Sequence, residues 1–263
     1  MCRLFGLHAG RRRTDATFWL VDASDSLEEQ SHRNPDGFGI GTFAPGGAPI
    51  VDKDALAAWQ DPDFSKAAHH LRGTTMIAHV RHASHGDVSP QNAHPFAQDG
   101  RLFAHNGSVG DLPALEARLA SFPPDRRFAV VGETDSERFF ALITAETIAH
   151  GGDLDQGIAA ATSWVVSELP VVSLNFVLIT PTQLRAFRYP EEDSLFVLER
   201  PAGEMFRGSG SAMKAQSSDL SSLRSVIVAS ERLDDDPRWR ELDAGEGIRV
   251  DPDLVVQRSA VLG

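Results

Sequence analysis

Strand-forming and helix-forming stretches are segregated along this chain, and that order limits its fold more than any single residue does. Near the middle, Glu133-Thr134-Asp135-Ser136-Glu137 precedes an apolar periodic run of Phe139, Phe140, Leu142, Ile143 and Ile148. Thr134 and Glu137 have the spacing of a capping box, so this segment is predicted to be a helix. A second helix is predicted from Leu154 to Leu169, stopped by Pro170. Before this pair, Arg3 to His8, Asn34 to Gly41, Ile50-Val51, Thr74 to Val80 and Arg101 to His105 read as strands. Asp22 to Arg33 and Phe64 to Leu71 read as shorter helices. After the pair, strands are predicted at Leu174 to Ile179, Leu184 to Tyr189, Ser194 to Leu198, Ser225 to Ala229, Gly247 to Val250 and Leu254 to Gln257, with a hairpin at Pro181-Thr182-Gln183. Strands, central helices, then strands again describe an α+β domain with helices on antiparallel sheets, not alternating βα units.

The glycines of Asn34-Pro35-Asp36-Gly37-Phe38-Gly39-Ile40-Gly41 alternate with Phe38 and Ile40, a pattern expected where another backbone packs closely on a strand. The small, polar stretch from Gly208 to Ser222 is expected to be a loop. With 263 residues, 41% of them hydrophobic, the chain can bury a large core, and its length allows one large domain or two small ones. A net charge of −12 argues against a general nucleic-acid binder. Arg11-Arg12-Arg13 is not followed by a signal-like apolar stretch, and no apolar run approaches a membrane span. The expectation is therefore a cytoplasmic protein with neither nucleic acid nor membrane as partner.

Cys2 is the only cysteine. It excludes an intramolecular disulfide framework and a four-cysteine zinc site, and it fits a reducing compartment. If Met1 is removed, residue 2 carries a thiol and a free α-amine together. The amine, with an ordinary pKa of about 7.7–8.0, is a suitable base for a thiol of pKa about 8.5. The alternative for a lone cysteine near a terminus is a small buried hydrophobe.

Further segments surround that thiol in sequence order: Asn34-Pro35-Asp36-Gly37-Phe38-Gly39, Val80-Arg81-His82-Ala83-Ser84-His85-Gly86, Asn92-Ala93-His94-Pro95-Phe96, Ala104-His105-Asn106-Gly107 and Glu133-Thr134-Asp135-Ser136-Glu137. Together with Met1-Cys2 before an apolar strand, they resemble the class II glutamine amidotransferases. Val226 to Asp236, reading Val-Ile-Val-Ala-Ser-Glu-Arg-Leu-Asp-Asp-Asp and followed by Trp239, is similar to the C-terminal segment of small stand-alone members, among them the γ-glutamyl hydrolase of the ergothioneine pathway. Without the resemblance, this segment reads as a strand and an acidic solvated loop, with Trp239 equally suited to a core.

The resemblance implies the four-layer αββα sandwich of antiparallel sheets found in N-terminal-nucleophile hydrolases. It implies that Cys2 attacks the γ-carbonyl of glutamine or a γ-glutamyl amide, forming a thioester that water hydrolyses to glutamate, with ammonia or an amine released. Acyl transfer places negative charge on the attacked oxygen, and the resemblance gives its stabilisation to the Asn106 amide and the Gly107 N–H. Read by itself, Asn106-Gly107 is also a turn signal, and its glycine suits either close backbone approach or positive φ. Arg81 has the fork geometry for a carboxylate, and by resemblance Asp135 takes the substrate ammonium. A surface ion pair and a helix-first-turn acid are their ordinary alternatives. Ser84, His85 and Gly86 are expected to line the substrate pocket. His82, also placed there, stands where many relatives carry tryptophan. Asp36-Gly37 and His94-Pro95 are expected to support the site.

No cofactor and no metal are implied. His79, His82, His85, His94 and His105 raise a zinc or iron alternative, yet the chain contains no His-Glu-x-x-His. Two other readings stay open: a non-catalytic binding or regulatory module on the same fold, and a glutaminase subunit passing ammonia to a separate synthase partner. The first would be recognised by retained Met1 and an unreactive Cys2, the second by glutamate release from glutamine alone.

Overall fold

A computed structural model of the chain describes residues 2–83, 86–126, 129–204 and 222–262. The chain begins with β1 (Arg3–His8), a π-helical turn at Phe18–Asp22, α1 (Leu27–Gln30), β2 (Phe38–Phe43), β3 (Pro49–Asp54), α2 (Pro62–His70) and β4 (Thr75–Val80). It continues through β5 (Phe96–Gln98), β6 (Arg101–Val109), α3 (Leu112–Ser121), α4 (Asp135–Ala149) and α5 (Leu154–Glu168). The last part holds β7 (Val171–Ile179), β8 (Leu184–Phe187), β9 (Phe196–Arg200), β10 (Ser225–Ala229), β11 (Arg240–Glu241), β12 (Glu246–Val250) and β13 (Val256–Ala260).

The strands form a seven-stranded sheet, β11-β9-β10-β1-β4-β2-β3, and a six-stranded sheet, β13-β12-β8-β7-β6-β5. Their pairings are antiparallel. Because side chains alternate along a strand, each sheet has two apolar faces to cover. Leu4 and Ile77 meet Leu102, Ala104 and Val177 between the sheets. Phe5, Leu7 and Ala78 point the other way, onto Phe18, Trp19, Phe64 and Ala68 from the π turn and α2. Phe103 and Phe176 leave the second sheet on its outer side, against Phe139 and Phe140 of α4 and Ile158 of α5. Helices, sheet, sheet, helices: the expected four-layer αββα order is present. Full burial of each such aromatic contributes about 1.5–3 kcal/mol, so the sandwich rests on its apolar layers.

The α4 cap is as expected, with Thr134 Oγ1 accepting from the Glu137 N–H at 3.2 Å. Glu137 does not complete the reciprocal box; its carboxylate accepts from the N–H groups of Val131 and Gly132 instead. The expected helix over 22–33 is mostly irregular, and only Leu27–Gln30 is helical, behind a Ser26 cap. The last strand begins later than expected, at Val256, because Leu254 adopts φ 60°. α3 and β5 were not foreseen. α3 starts from Asp111, whose side chain accepts from Ala114 N–H, with a proline in its first turn where a missing N–H costs nothing. Close packing on β2 is as expected: a Cβ at Gly39 would lie 2.0 Å from the His94 carbonyl oxygen. The segment from Gly208 falls outside the described residues up to 221.

Candidate active site

β1 is interior to its sheet, with β4 on one side and β10 on the other. Leu4 faces the gap between the sheets, and the alternation carried back two residues places Cys2 at the end of that same gap. The chain segment after β4 meets the thiol there. Cys2 Sγ accepts from the His82 N–H at 3.2 Å and its S–H is 3.3 Å from the His82 carbonyl oxygen. Burial pushes the thiol pKa up, and the His82 contact and the positive charges of the chain terminus, Arg81 and Arg3 offset that in part. The thiol is therefore mostly protonated at neutral pH, so nucleophilic attack needs a base beside it.

His82 thus reaches Cys2 through its backbone. Its ring is half-exposed, with Nδ1 3.9 Å from Asp36 Oδ2. Asp36 Oδ2 also accepts from the Ala83 N–H at 2.8 Å, and Arg81 N–H donates to the Gly37 carbonyl. The Asp36-Gly37 turn therefore holds the segment that contacts the thiol, the supporting role expected of it.

Arg81 is 3% exposed and donates to the carbonyls of Asp87, at 3.0 Å, and Gly86, at 3.2 Å. Two residues that sequence reasoning gave no role fasten the same loop to the start of α4. Asn92 Nδ2 donates to the Asp87 carbonyl and to Glu133 Oε2, each at 3.1 Å, and Asn92 Oδ1 accepts from the Glu133 N–H at 2.8 Å. Glu133 Oε2 also accepts from the Asp87 N–H. Both lie inside motifs already noticed, but nothing in the sequence pairs them. Asp135 follows directly. It is 5% exposed, and its Oδ2 accepts from the Val109 N–H at 2.6 Å, where β6 shifts register against β7. Ser84 and His85 lie outside the described residues.

Asn106 and Gly107 do not form a turn. Both are inside β6, opposite Asn175 and Leu174 of β7. Asn106 shares the inward face with Leu102 and Ala104. It is 3% exposed and lines a cleft of about 280 Å³ with Arg3, Glu192, Asp193, Ser194, Ser230 and Glu231. Gly107 needs its missing side chain for proximity, not for positive φ: a Cβ there would sit 1.9 Å from the Ser173 carbonyl oxygen.

The C-terminal motif closes this side. Ser230 Oγ accepts from the Leu4 N–H at 2.8 Å, and Ser230 N–H donates to the Leu4 carbonyl at 3.1 Å. The following acids are not a solvated loop. Asp234 and Asp236 are buried, and Asp234 accepts from Trp239 Nε1 at 2.7 Å while the indole packs edge-on to Trp19 in the outer core.

The histidines have structural surroundings. The His79 and His94 rings pack at a tilt of 42° with centroids 4.2 Å apart. His105 bonds Ser136 Oγ through Nδ1 and the Ser173 carbonyl through Nε2. Among the described residues no group of three or more His, Cys, Asp or Glu could hold a metal ion, and no helix is long and apolar enough to cross a membrane.

The thiol is in contact with the segment that follows Arg81, and the buried Asp135 carboxylate is bonded to β6, the strand that carries Asn106-Gly107, in an αββα sandwich. Residues 1–257 match the family described as glutamine amidotransferases class-II. The chain belongs to that family. Its members are enzymes, and the class II glutamine amidotransferase fold is also seen in a Silicibacter pomeroyi protein titled a glutamine aminotransferase class-II domain protein, with a TM-score of 0.65, 22% identity and 98% of each chain covered. In sequence, the chain is 29% identical over 228 residues to the gamma-glutamyl-hercynylcysteine sulfoxide hydrolase of Mycolicibacterium smegmatis, covering 85% of this chain and 82% of that one. It is 30% identical over 127 residues to the probable glutamine amidotransferase DUG3 of Saccharomyces cerevisiae, where the match covers 46% of this chain and 36% of the yeast protein.

Proposed function

We propose that this amidotransferase hydrolyses γ-glutamyl amides with Cys2 as its nucleophile, residues 1–263 acting as one amidotransferase domain. The observation that carries the proposal is that Cys2 contacts the segment after Arg81 and is followed directly by Arg3, which lines the cleft with Asn106. Removal of Met1 leaves an α-amine one residue's geometry from the thiol, and that amine takes the thiol proton. The thiolate attacks the γ-carbonyl carbon. The Asn106 amide and the Gly107 N–H stabilise the oxyanion, the C–N bond breaks, and the leaving nitrogen takes its proton from the Cys2 ammonium. Water then attacks the thioester carbon, releasing glutamate and restoring the thiol.

The substrate's glutamyl end is assigned to the other side. A carboxylate is a stronger acceptor than the carbonyls Arg81 now engages, and it takes the guanidinium bidentate. Asp135 supplies the negative charge for the α-ammonium, with Ser84, His85 and Gly86 along the pocket. A stand-alone hydrolase is favoured over an ammonia-supplying subunit because the match to the Mycolicibacterium hydrolase covers 82% of that protein.

The test is Cys2→Ala in protein whose Met1 removal has been confirmed by mass. We expect wild type to release glutamate from at least one member of a panel of glutamine and γ-glutamyl amides, and Cys2→Ala to lose that activity with an unchanged thermal transition. Full activity in the variant would overturn the mechanism. Glutamate from glutamine alone would replace the hydrolase reading with ammonia supply to a synthase partner.

A further inference from the structure

Cys2 separates two differently built half-sites. On the β4 side lies the loop held by Arg81, ending at the N-terminus of α4 with Asp135. On the β10 side lies the cleft formed by Arg3, Asn106, Glu192, Asp193, Ser194, Ser230 and Glu231. If the glutamyl group occupies the first, the departing amine projects into the second.

That cleft is acidic and held in shape. Glu231 pairs with Arg3 and lies 3.6 Å from Arg33, so its charge is met by the protein. Glu192 and Asp193 have no ion pair among the described residues. Their loop is nevertheless fixed through its backbone. Arg188 donates to the carbonyls of Glu191, at 2.6 Å, and Asp193, at 2.7 Å. Asn175 Nδ2 donates to the carbonyls of Asp193 and Ser194, and Ser194 Oγ donates to the Ser230 carbonyl at 2.8 Å. Asn175 is the residue opposite Asn106 in the ladder, so the acidic loop is tied to the strand carrying the amide. The sign that this cleft takes a ligand is the Asn106 side chain, which is 3% exposed, lines the cleft and has no side-chain hydrogen bond to the described residues, so the amide assigned to the oxyanion opens into it. Its amide is thus free to bond a polar group of a ligand in the cleft.

We propose that this cleft is the leaving-group subsite and that it selects γ-glutamyl amides whose amine half carries a second positive charge, held by Glu192 and Asp193. The inference rests on Cys2 being the nucleophile. It names the chemistry of the non-glutamyl half, which the reaction alone leaves open.

Three amides of matched length test it: γ-glutamyl-1,4-diaminobutane, γ-glutamyl-n-pentylamide and γ-glutamyl-4-aminobutyrate, with cationic, neutral and anionic ends. The expected order of kcat/KM is cation, neutral, anion. The cationic amide should exceed the neutral one about five- to tenfold at low salt, the range expected of partly exposed charge contacts, and the ratio should shrink as salt is added. In Glu192→Gln/Asp193→Asn the ratio should fall to near one, with an unchanged thermal transition showing that the loop is intact. Equal rates for all three amides, preference for the anion, or a ratio the double variant leaves unchanged would overturn the subsite while leaving Cys2 chemistry standing. No hydrolysis of any amide, or hydrolysis undiminished in Cys2→Ala, would sink the nucleophile reading and the subsite with it.

Discussion

In the proposed mechanism Asn106 is the residue at which catalysis and binding meet. Its backbone is fixed in a strand, and its buried carboxamide has no side-chain bond to the described residues that a substrate would first have to break. Such a donor stabilises developing charge without having to reorient. Asn106→Ala is therefore expected to lower kcat about 10²–10³-fold with a much smaller change in KM, measured by steady-state glutamate release. An equal loss in the binding of a non-reactive γ-glutamyl analogue would instead show that the amide holds the ground state. The sequence singled out this residue and left two local structures open for it, a turn or a close backbone approach. Asn-Gly carries the same signal in a turn and in a strand. What decides is the register of β6 on β7, where Gly107 lies against the Ser173 carbonyl, and that contact joins residues far apart in the chain.

Among the elements, the Arg81 loop and the start of α4 behave as one part. Asn92 bonds the loop carbonyl of Asp87 and the Glu133 side chain and backbone, so it welds them without belonging to either. Asn92→Ala removes those bonds from a mostly buried position. At about 1 kcal/mol each before compensation, KM for a γ-glutamyl amide should rise about 5–30-fold, with kcat less affected. Unchanged KM would show that the loop keeps its shape unaided. The α4 cap was readable because Thr134 and Glu137 act within one turn. The Asn92–Glu133 weld was not, because it is set by where two loops meet. The missed α3 has a different cause: only Leu115 in it is fully buried, so its apolar pattern is thin, and its strongest signals are the Asp111 cap and Pro113.

For the whole molecule, acid is the informative perturbation. Burial pushes the His79, His94 and His105 pKa values down; for His79 it acts with the nearby positive charge of Arg81, to about 3, whereas the Asp135 carboxylate partly opposes it at His105. In the unfolded chain each titrates near 6.5. Between those values the unfolded state binds more protons, so stability is fully present above about pH 6.5 and falls as pH drops toward the folded values. For His79, between about 3 and 6.5, the slope is about 1.4 kcal/mol per pH unit, and His94 and His105 act in the same direction. The urea midpoint should therefore be clearly lower at pH 5 than at pH 7, and His79→Gln should show a shallower dependence. A midpoint that does not move would mean these rings are solvated. The layered fold was legible from element order, since strands flanking central helices leave few packings. The placement of these histidines beneath the site was not, because their burial comes from the stacking of two sheets.

Closing strands into a sandwich also leaves open rims. β3 and β13 each have a ladder partner on one side only. An unpaired strand invites another chain to extend the sheet, which is the start of aggregation. On β3 that invitation is blunted by Pro49 at its start and by Asp52, Lys53 and Asp54 after its short apolar step. On β13, Gln257, Arg258 and Ser259 are exposed along the rim. A second molecule adding itself there would have to desolvate Asp52, Lys53 and Asp54 on one rim and Gln257, Arg258 and Ser259 on the other. The polar groups on these two rims thus oppose the use of an apolar interior as a template for further copies.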